Sequence, residues 1–310
     1  MESCDTCRRG SAKFLGDQWC EECREVLCKD CEIAHSINKL TLDHHLTTYD
    51  PTKVPTALSY AKSHELKVRE DGSVECMTQT DTGEFLIFDD DNREIILYDP
   101  QEQCIKGACA VTDIPENMAT IPGTTHAVLA CYYAGTYFMD YSSMKLGKKI
   151  YNTGSEKPHN CVTIIDDKLV VGTEGEILLF SISGQFLRSM EVRTDNRISG
   201  ISKGPNNTFI CIDGEDLFCI DEDGKELWFY NSVLLDKKVT GCFVDYNCSI
   251  YAASKENCGI HQLTPDGMLL NDDVLDEKCD QYKVMCYKKD GSEIYFCNSS
   301  PISIVVYKRK

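Results

Sequence analysis

Residues 161–187 read CVTIIDDKLVVGTEGEILLFSISGQFL, three short apolar runs and the start of a fourth, with a polar or glycine-bearing break after each. The runs are Cys161-Val-Thr-Ile-Ile, Leu169-Val-Val-Gly and Ile177-Leu-Leu-Phe, and Phe186-Leu187 follows the Ser183-Gly184 turn. Each is shorter than a stable helix, rich in β-branched residues and closed by turn formers, the pattern of a strand. Breaks this short fold the chain back on itself, so consecutive strands pair as antiparallel neighbours.

The same order of runs recurs along the chain. The second run of the set appears as Phe85-Leu-Ile-Phe, Val128-Leu-Ala-Cys, Leu169-Val-Val-Gly, Phe209-Ile-Cys-Ile, Ile250-Tyr-Ala-Ala and Ile294-Tyr-Phe-Cys, at intervals of 43, 41, 40, 41 and 44 residues. Behind each lies a further apolar run, such as Ile95-Ile-Leu-Tyr or Ile304-Val-Val-Tyr, and Asp223-Gly224 and Asp266-Gly267 repeat the Ser183-Gly184 turn. Four strands in about 42 residues is the size of a propeller blade. The predicted fold is therefore mainly β, with a six-bladed β-propeller over residues 64–310. The last copy stops at Lys310 after its third strand, so His64-Glu-Leu-Lys-Val-Arg69 is predicted to supply the fourth, with Leu66 and Val68 pairing to Ile304–Tyr307. Such a pairing closes the ring and removes an exposed edge. Residues 49–63, with Pro51, Pro55 and the run Thr56–Lys62, read as a linker carrying a short helix.

Charge and hydropathy exclude several classes. Lys and Arg number 32 against 50 Asp and Glu, a net charge of -18, which disfavours nucleic acid as a partner. No apolar run reaches the roughly 18 to 20 residues of a membrane span. The opening MESCDTCRRG does not read as a signal peptide, so a cytoplasmic, reducing setting is expected for the 19 cysteines.

Six of those cysteines lie in the first 31 residues, as the pairs Cys4 and Cys7, Cys20 and Cys23, Cys28 and Cys31, followed by His35 and His44. A C-x2-C turn directs two thiolates at one metal, and eight ligands satisfy two tetrahedral zinc ions. A segment with so few apolar residues needs such a staple, and zinc supplies roughly 10 kcal/mol or more of folding free energy per structural site. With every coordination position filled by protein, the zinc is structural. The thirteen other cysteines mostly alternate with Val, Ile, Phe and Tyr in predicted strands, as at Cys161, Cys211, Cys219, Cys242, Cys286 and Cys297, and read as buried thiols. Asp89-Asp-Asp-Asn92 reads as a solvated hairpin turn in preference to a calcium loop.

At its eight cysteine and histidine positions the segment 1–48 resembles a type 1 B-box zinc finger of the tripartite-motif family. The resemblance implies a cross-brace, with Cys4, Cys7, Cys28 and Cys31 on one ion and Cys20, Cys23, His35 and His44 on the other, His44 being preferred to His45. The propeller is similar, in architecture and period, to the NHL type found in that family. A RING finger and a long coiled coil, both usual in the family, are not expected from this sequence. What the resemblance implies is a protein-interaction adaptor or scaffold whose propeller face binds a protein partner. A role in ubiquitin ligation is the alternative, followed by RNA regulation, and no catalytic residue is proposed. Elemental analysis of the purified chain should return two zinc ions per molecule, and a metal-free, folded N-terminal segment would overturn the module.

Overall fold

The apolar runs are continuous because most middle strands are covered on both faces. Every residue of Phe85–Asp89, Ile250–Ser254 and Gly259–Leu263 is buried. The structure, a computed structural model, describes residues 57–310 apart from 151–156, 193, 195, 214–215, 231–238, 246–247, 255–258, 278–281 and 289–290. From residues 1–56 it describes three strands, β1 (Gln18–Cys20), β2 (Glu25–Leu27) and β3 (Leu46–Thr48), with β1 between the other two in an antiparallel sheet.

The remainder forms six four-stranded sheets, each a meander from an inner to an outer strand. The first blade is β5 (Val74–Gln79), β6 (Phe85–Asp89), β7 (Glu94–Asp99) and β8 (Cys104–Ala110). The second is β9 (Pro115–Thr120), β10 (His126–Cys131), β11 (Gly135–Asp140) and β12 (Lys145–Ile150), and the third is β13 (Cys161–Ile165), β14 (Lys168–Gly172), β15 (Glu176–Ser181) and β16 (Phe186–Glu191). The fourth comprises β17 (Ile198–Lys203), β18 (Phe209–Asp213), β19 (Asp216–Ile220) and β20 (Glu226–Tyr230), the fifth β21 (Val239–Val244), β22 (Ile250–Ser254), β23 (Gly259–Leu263) and β24 (Leu269–Asn271). The sixth takes β25 (Val284–Tyr287), β26 (Glu293–Asn298) and β27 (Ile302–Arg309) from the end of the chain and β4 (Tyr60–Arg69) from its beginning. The protein is a six-bladed β-propeller.

Its core is six apolar slabs, one between each pair of adjacent blades. The period-2 alternation of a strand sends neighbouring side chains to different slabs. On β6, Phe85 and Ile87 join the slab shared with the sixth blade, whereas Leu86 and Phe88 join the one shared with the second. Aromatic rings interlock the fifth and sixth blades, where Phe243 stacks on Tyr251 at 4.4 Å and on Tyr287 at 4.6 Å. Each fully buried ring of this size contributes about 2 to 3 kcal/mol by removal from water. Outer strands have a neighbour on one side only, and five of the six positions on β16 are exposed.

The glycine turns are three-residue connections closed by a left-handed residue. Gly184, Gly224 and Gly267 all have φ near +83. In the first, Ser181 N–H donates to the Gln185 carbonyl at 2.8 Å and Gly184 N–H to the Ser181 carbonyl at 2.8 Å, and the other two repeat both bonds. A Cβ on Gly267 would stand 2.6 Å from the Trp228 ring of the preceding blade, so glycine also allows the blades to approach.

Ring closure follows the prediction with two corrections. β4 pairs antiparallel to β27, and Leu66 faces Ile304 in register, but Val68 falls in a bulge between Lys67 and Arg69 and faces no partner in the ladder. The strand also begins earlier than expected. Tyr60–Lys62 is extended and pairs with Tyr307–Arg309, so the short helix expected to run to Lys62 is not formed there and the propeller starts near Tyr60. The reason is burial. Tyr60 is 0% exposed in the slab between the fifth and sixth blades, its N–H donates to the Val274 carbonyl at 2.7 Å, and its hydroxyl to the Gly291 carbonyl at 2.7 Å. Those tertiary contacts outweigh the weak local helical preference.

A further latch joins β4 to the first blade. Arg69 reaches Asp89 and Glu94, each at 2.7 Å. The acidic run is thus not wholly solvated as expected. Asp89 is 0% exposed and also accepts from the Asn92 side chain at 2.8 Å, so its oxygens are committed to protein donors. Gly72, with φ +140, passes so close that a Cβ would lie 2.8 Å from the Asp89 carboxylate. Removing one partner of such a pair strands the other in a dry site. Arg69→Met should therefore destabilise the fold by about 2 to 3 kcal/mol in urea unfolding, with Asp89→Asn restoring part of the loss in the same background. A loss near zero would assign closure to the strand ladder alone.

Candidate interaction face

Successive strands of a meander run in opposite directions, so the connectors of every blade alternate between two faces of the ring. One face carries the connector between the two middle strands and the segment by which the chain enters each inner strand. We call it the entry face. Contacts between blades respect this division. Tyr132 of the second blade meets Glu174 of the third, and Arg197, entering the fourth, meets Glu116, entering the second. On the opposite face Lys203 pairs with Asp166 at 2.6 Å and Gly123 N–H donates to Asp81 at 2.6 Å.

Two tyrosines form the tip of the connector between β10 and β11. Ala134 N–H donates to the Cys131 carbonyl at 3.0 Å, and Gly135 takes φ +87 where a Cβ would meet the Ile150 carbonyl at 2.9 Å. This tight return leaves Tyr132 and Tyr133 no place in a slab. Their rings sit edge to face with centroids 4.5 Å apart, and Tyr133 is 93% exposed. Arg197 lies over the Tyr132 ring at 5.9 Å with its guanidinium 3.7 Å from Glu116, while the Tyr132 hydroxyl approaches Glu174 at 3.5 Å. A second set repeats the arrangement. Lys149 stands 5.0 Å over the Tyr137 ring, and the Tyr137 hydroxyl donates to Asp113 at 2.6 Å, which holds its pKa above the usual phenol value.

Beside this aromatic group, the segment entering β13 buries His159 and Asn160, 1% and 3% exposed. His159 Nδ1 is 2.8 Å from the Thr136 hydroxyl. Its Nε2 and both polar atoms of the Asn160 amide have no hydrogen-bond partner among the described residues.

Several sequence expectations fall outside the described residues. These include Cys4, Cys7, Cys23, Cys28, Cys31, His35, His44 and the alternative His45, and of Cys20 only the backbone is described. Among the described residues no group of three or more His, Cys, Asp or Glu side chains is arranged to hold a metal ion. The propeller cysteines are placed largely as expected. Cys161, Cys211, Cys219 and Cys297 are at most 1% exposed, whereas Cys242 is half-buried with its Sγ 3.5 Å from the Ser202 hydroxyl. Burial pushes the Cys161 and Cys297 thiols up to about 12, which keeps them protonated and unreactive. The aromatic tip was not singled out from sequence, although two tyrosines in a connector ending in glycine, Tyr132-Tyr-Ala-Gly135, depart from turn chemistry in a readable way.

No helix among the described residues is long and apolar enough to cross a membrane. No protein-family model matches the chain, and no curated protein matches it. The fold defines the class, a six-bladed β-propeller closed by its N-terminal strand.

Burial lowers the pKa of His159 from 6.5 to about 4. The folded protein thus favours the neutral ring, and the associated stability is complete above pH 6.5 and drains away as the pH falls towards 4. The shift corresponds to up to about 3 kcal/mol. His159→Gln should flatten the stability profile between these limits, and an unchanged acid slope would assign the acid sensitivity to other groups.

Proposed function

We propose that the protein is an interaction adaptor, in which a zinc-stabilised, B-box-like N-terminal module is joined to an NHL-type propeller whose entry face receives a protein partner. The observation that carries this reading is the cross-blade contact set of that face. Connectors from the second, third and fourth blades are tied into one surface by Tyr132, Glu174, Arg197 and Glu116, with the exposed Tyr133 ring at its tip. Solvent-exposed aromatic rings on a rigid scaffold are favoured anchors at interfaces. Slabs that interlock every blade with its neighbours keep such a surface preorganised, which lowers the entropic cost of binding.

The zinc reading is supported by the backbone of the small sheet. Four residues connect β1 to β2, and Cys23 is among them. At that end of β1, Cys20 pairs with Leu46, two residues after His44 in the chain. Of the proposed ligands, Cys20 thus stands at the end of β1, beside the first residue of β3.

The test uses the whole chain. A partner recovered by affinity capture should reconstitute a stoichiometric complex from purified components, with crosslinks from Glu174 and none from Lys225 on the opposite face. A complex whose crosslinks map to the opposite face, or failure to reconstitute any complex, would overturn the reading.

A further inference from the structure

The entry face already holds two cations on tyrosine rings, and both combinations have the same parts. Arg197 lies over Tyr132 with Glu116 and Glu174 beside it, and Lys149 lies over Tyr137 with Asp113 at the ring's hydroxyl. An aromatic face attracts a cation through its quadrupole, and an adjacent carboxylate adds a Coulombic term. Tyr133 is the neighbouring ring, packed edge to face on Tyr132, and it is exposed to 93%.

The surroundings favour the same sign of ligand. Glu116 and Glu174 are exposed at the edge of the tyrosine pair, and Glu70, Asp71, Glu75 and Asp91 are exposed where the first blade meets this face. The chain as a whole carries a net charge of -18, so its long-range field draws cationic segments and repels polyanions. Ile114, 39% exposed in the segment entering β9, adds an apolar contact for the stem of a long basic side chain.

We infer that the entry face binds a basic protein segment, with an arginine or lysine side chain stacked on Tyr133 between the carboxylates of Glu116 and Glu174. This rests on the adaptor reading and gives its partner a chemistry. Arg197 over Tyr132 and Lys149 over Tyr137 are internal counterparts of the incoming side chain, and the exposure of Tyr133 leaves its ring open to one. Arginine is preferred to lysine, because its planar guanidinium stacks on a ring while still donating to a carboxylate.

Fluorescence anisotropy of the full chain with labelled (Gly-Arg)5, (Gly-Lys)5 and (Gly-Glu)5 peptides tests the inference. The arginine peptide should bind most tightly and the glutamate peptide least, with affinity falling as salt is raised. Tyr133→Ala should weaken binding about fivefold, Tyr133→Phe should retain it, and Asp223→Asn on the opposite face should change nothing. No binding of the cationic peptides, equal binding of the glutamate peptide, or a Tyr133→Ala protein that binds as well as the parent would overturn the inference. Tighter binding of single-stranded oligouridine than of the arginine peptide would overturn it too. The adaptor reading is judged separately. A reconstituted partner that crosslinks to Glu174 yet ignores Tyr133→Ala removes the basic segment and leaves the adaptor, whereas no complex on this face removes both.

Discussion

Every slab of this protein is shared between two blades, so no blade has a core of its own, and the ring holds only if the last blade finds the first. The pairing of β27 with β4 meets that requirement. Without it, Leu66 and Tyr60 would leave two different slabs, and β27 would become an open edge bearing the apolar run Ile302–Tyr307. Arg69 adds direction to the closure, because its two carboxylate partners lie on the first blade while the arginine belongs to the sixth sheet.

That architecture explains which parts of the fold were legible in the sequence. Most middle strands are buried on both faces and appear as uninterrupted apolar runs, which is how Phe85–Phe88 or Leu169–Val171 disclosed the repeat. Outer strands such as β8 and β12 are largely exposed and carry no comparable pattern, and only β16, β20 and β24 were marked by a glycine turn before them. The start of β4 was misjudged for a related reason. Tyr60 is fixed by contacts to Val274 and Gly291, more than 200 residues away, and a local propensity cannot register them. The acidic run forms the expected hairpin turn, but the burial of Asp89 beside Arg69, a residue of another blade, has no local signal.

The candidate face was less legible than the fold. Its defining contacts join connectors from different blades, and a one-dimensional reading has no access to such proximity. Cys161, Cys211 and Cys297 could be assigned from pattern, because a thiol among strand hydrophobes needs only burial to explain it. His159 shows the opposite case: its sequence neighbours suggest nothing, yet the fold encloses its ring with one nitrogen on Thr136. The type of residue on this face was visible, and its arrangement was not.

The strand that closes the ring is also the one that continues from residues 1–56. Because β4 runs antiparallel to β27, with Tyr60 opposite Arg309, a pull on the chain before Tyr60 enters the ladder at its first bond. The load then falls on one rung at a time, as in opening a zip, a weaker geometry than shear across the whole strand. Tyr60 stands at that first rung, sealed in a slab and bonded to both the fifth and sixth blades. It acts as a mechanical stop, so a pull on the preceding chain meets a sealed side chain before the rest of the ladder is loaded.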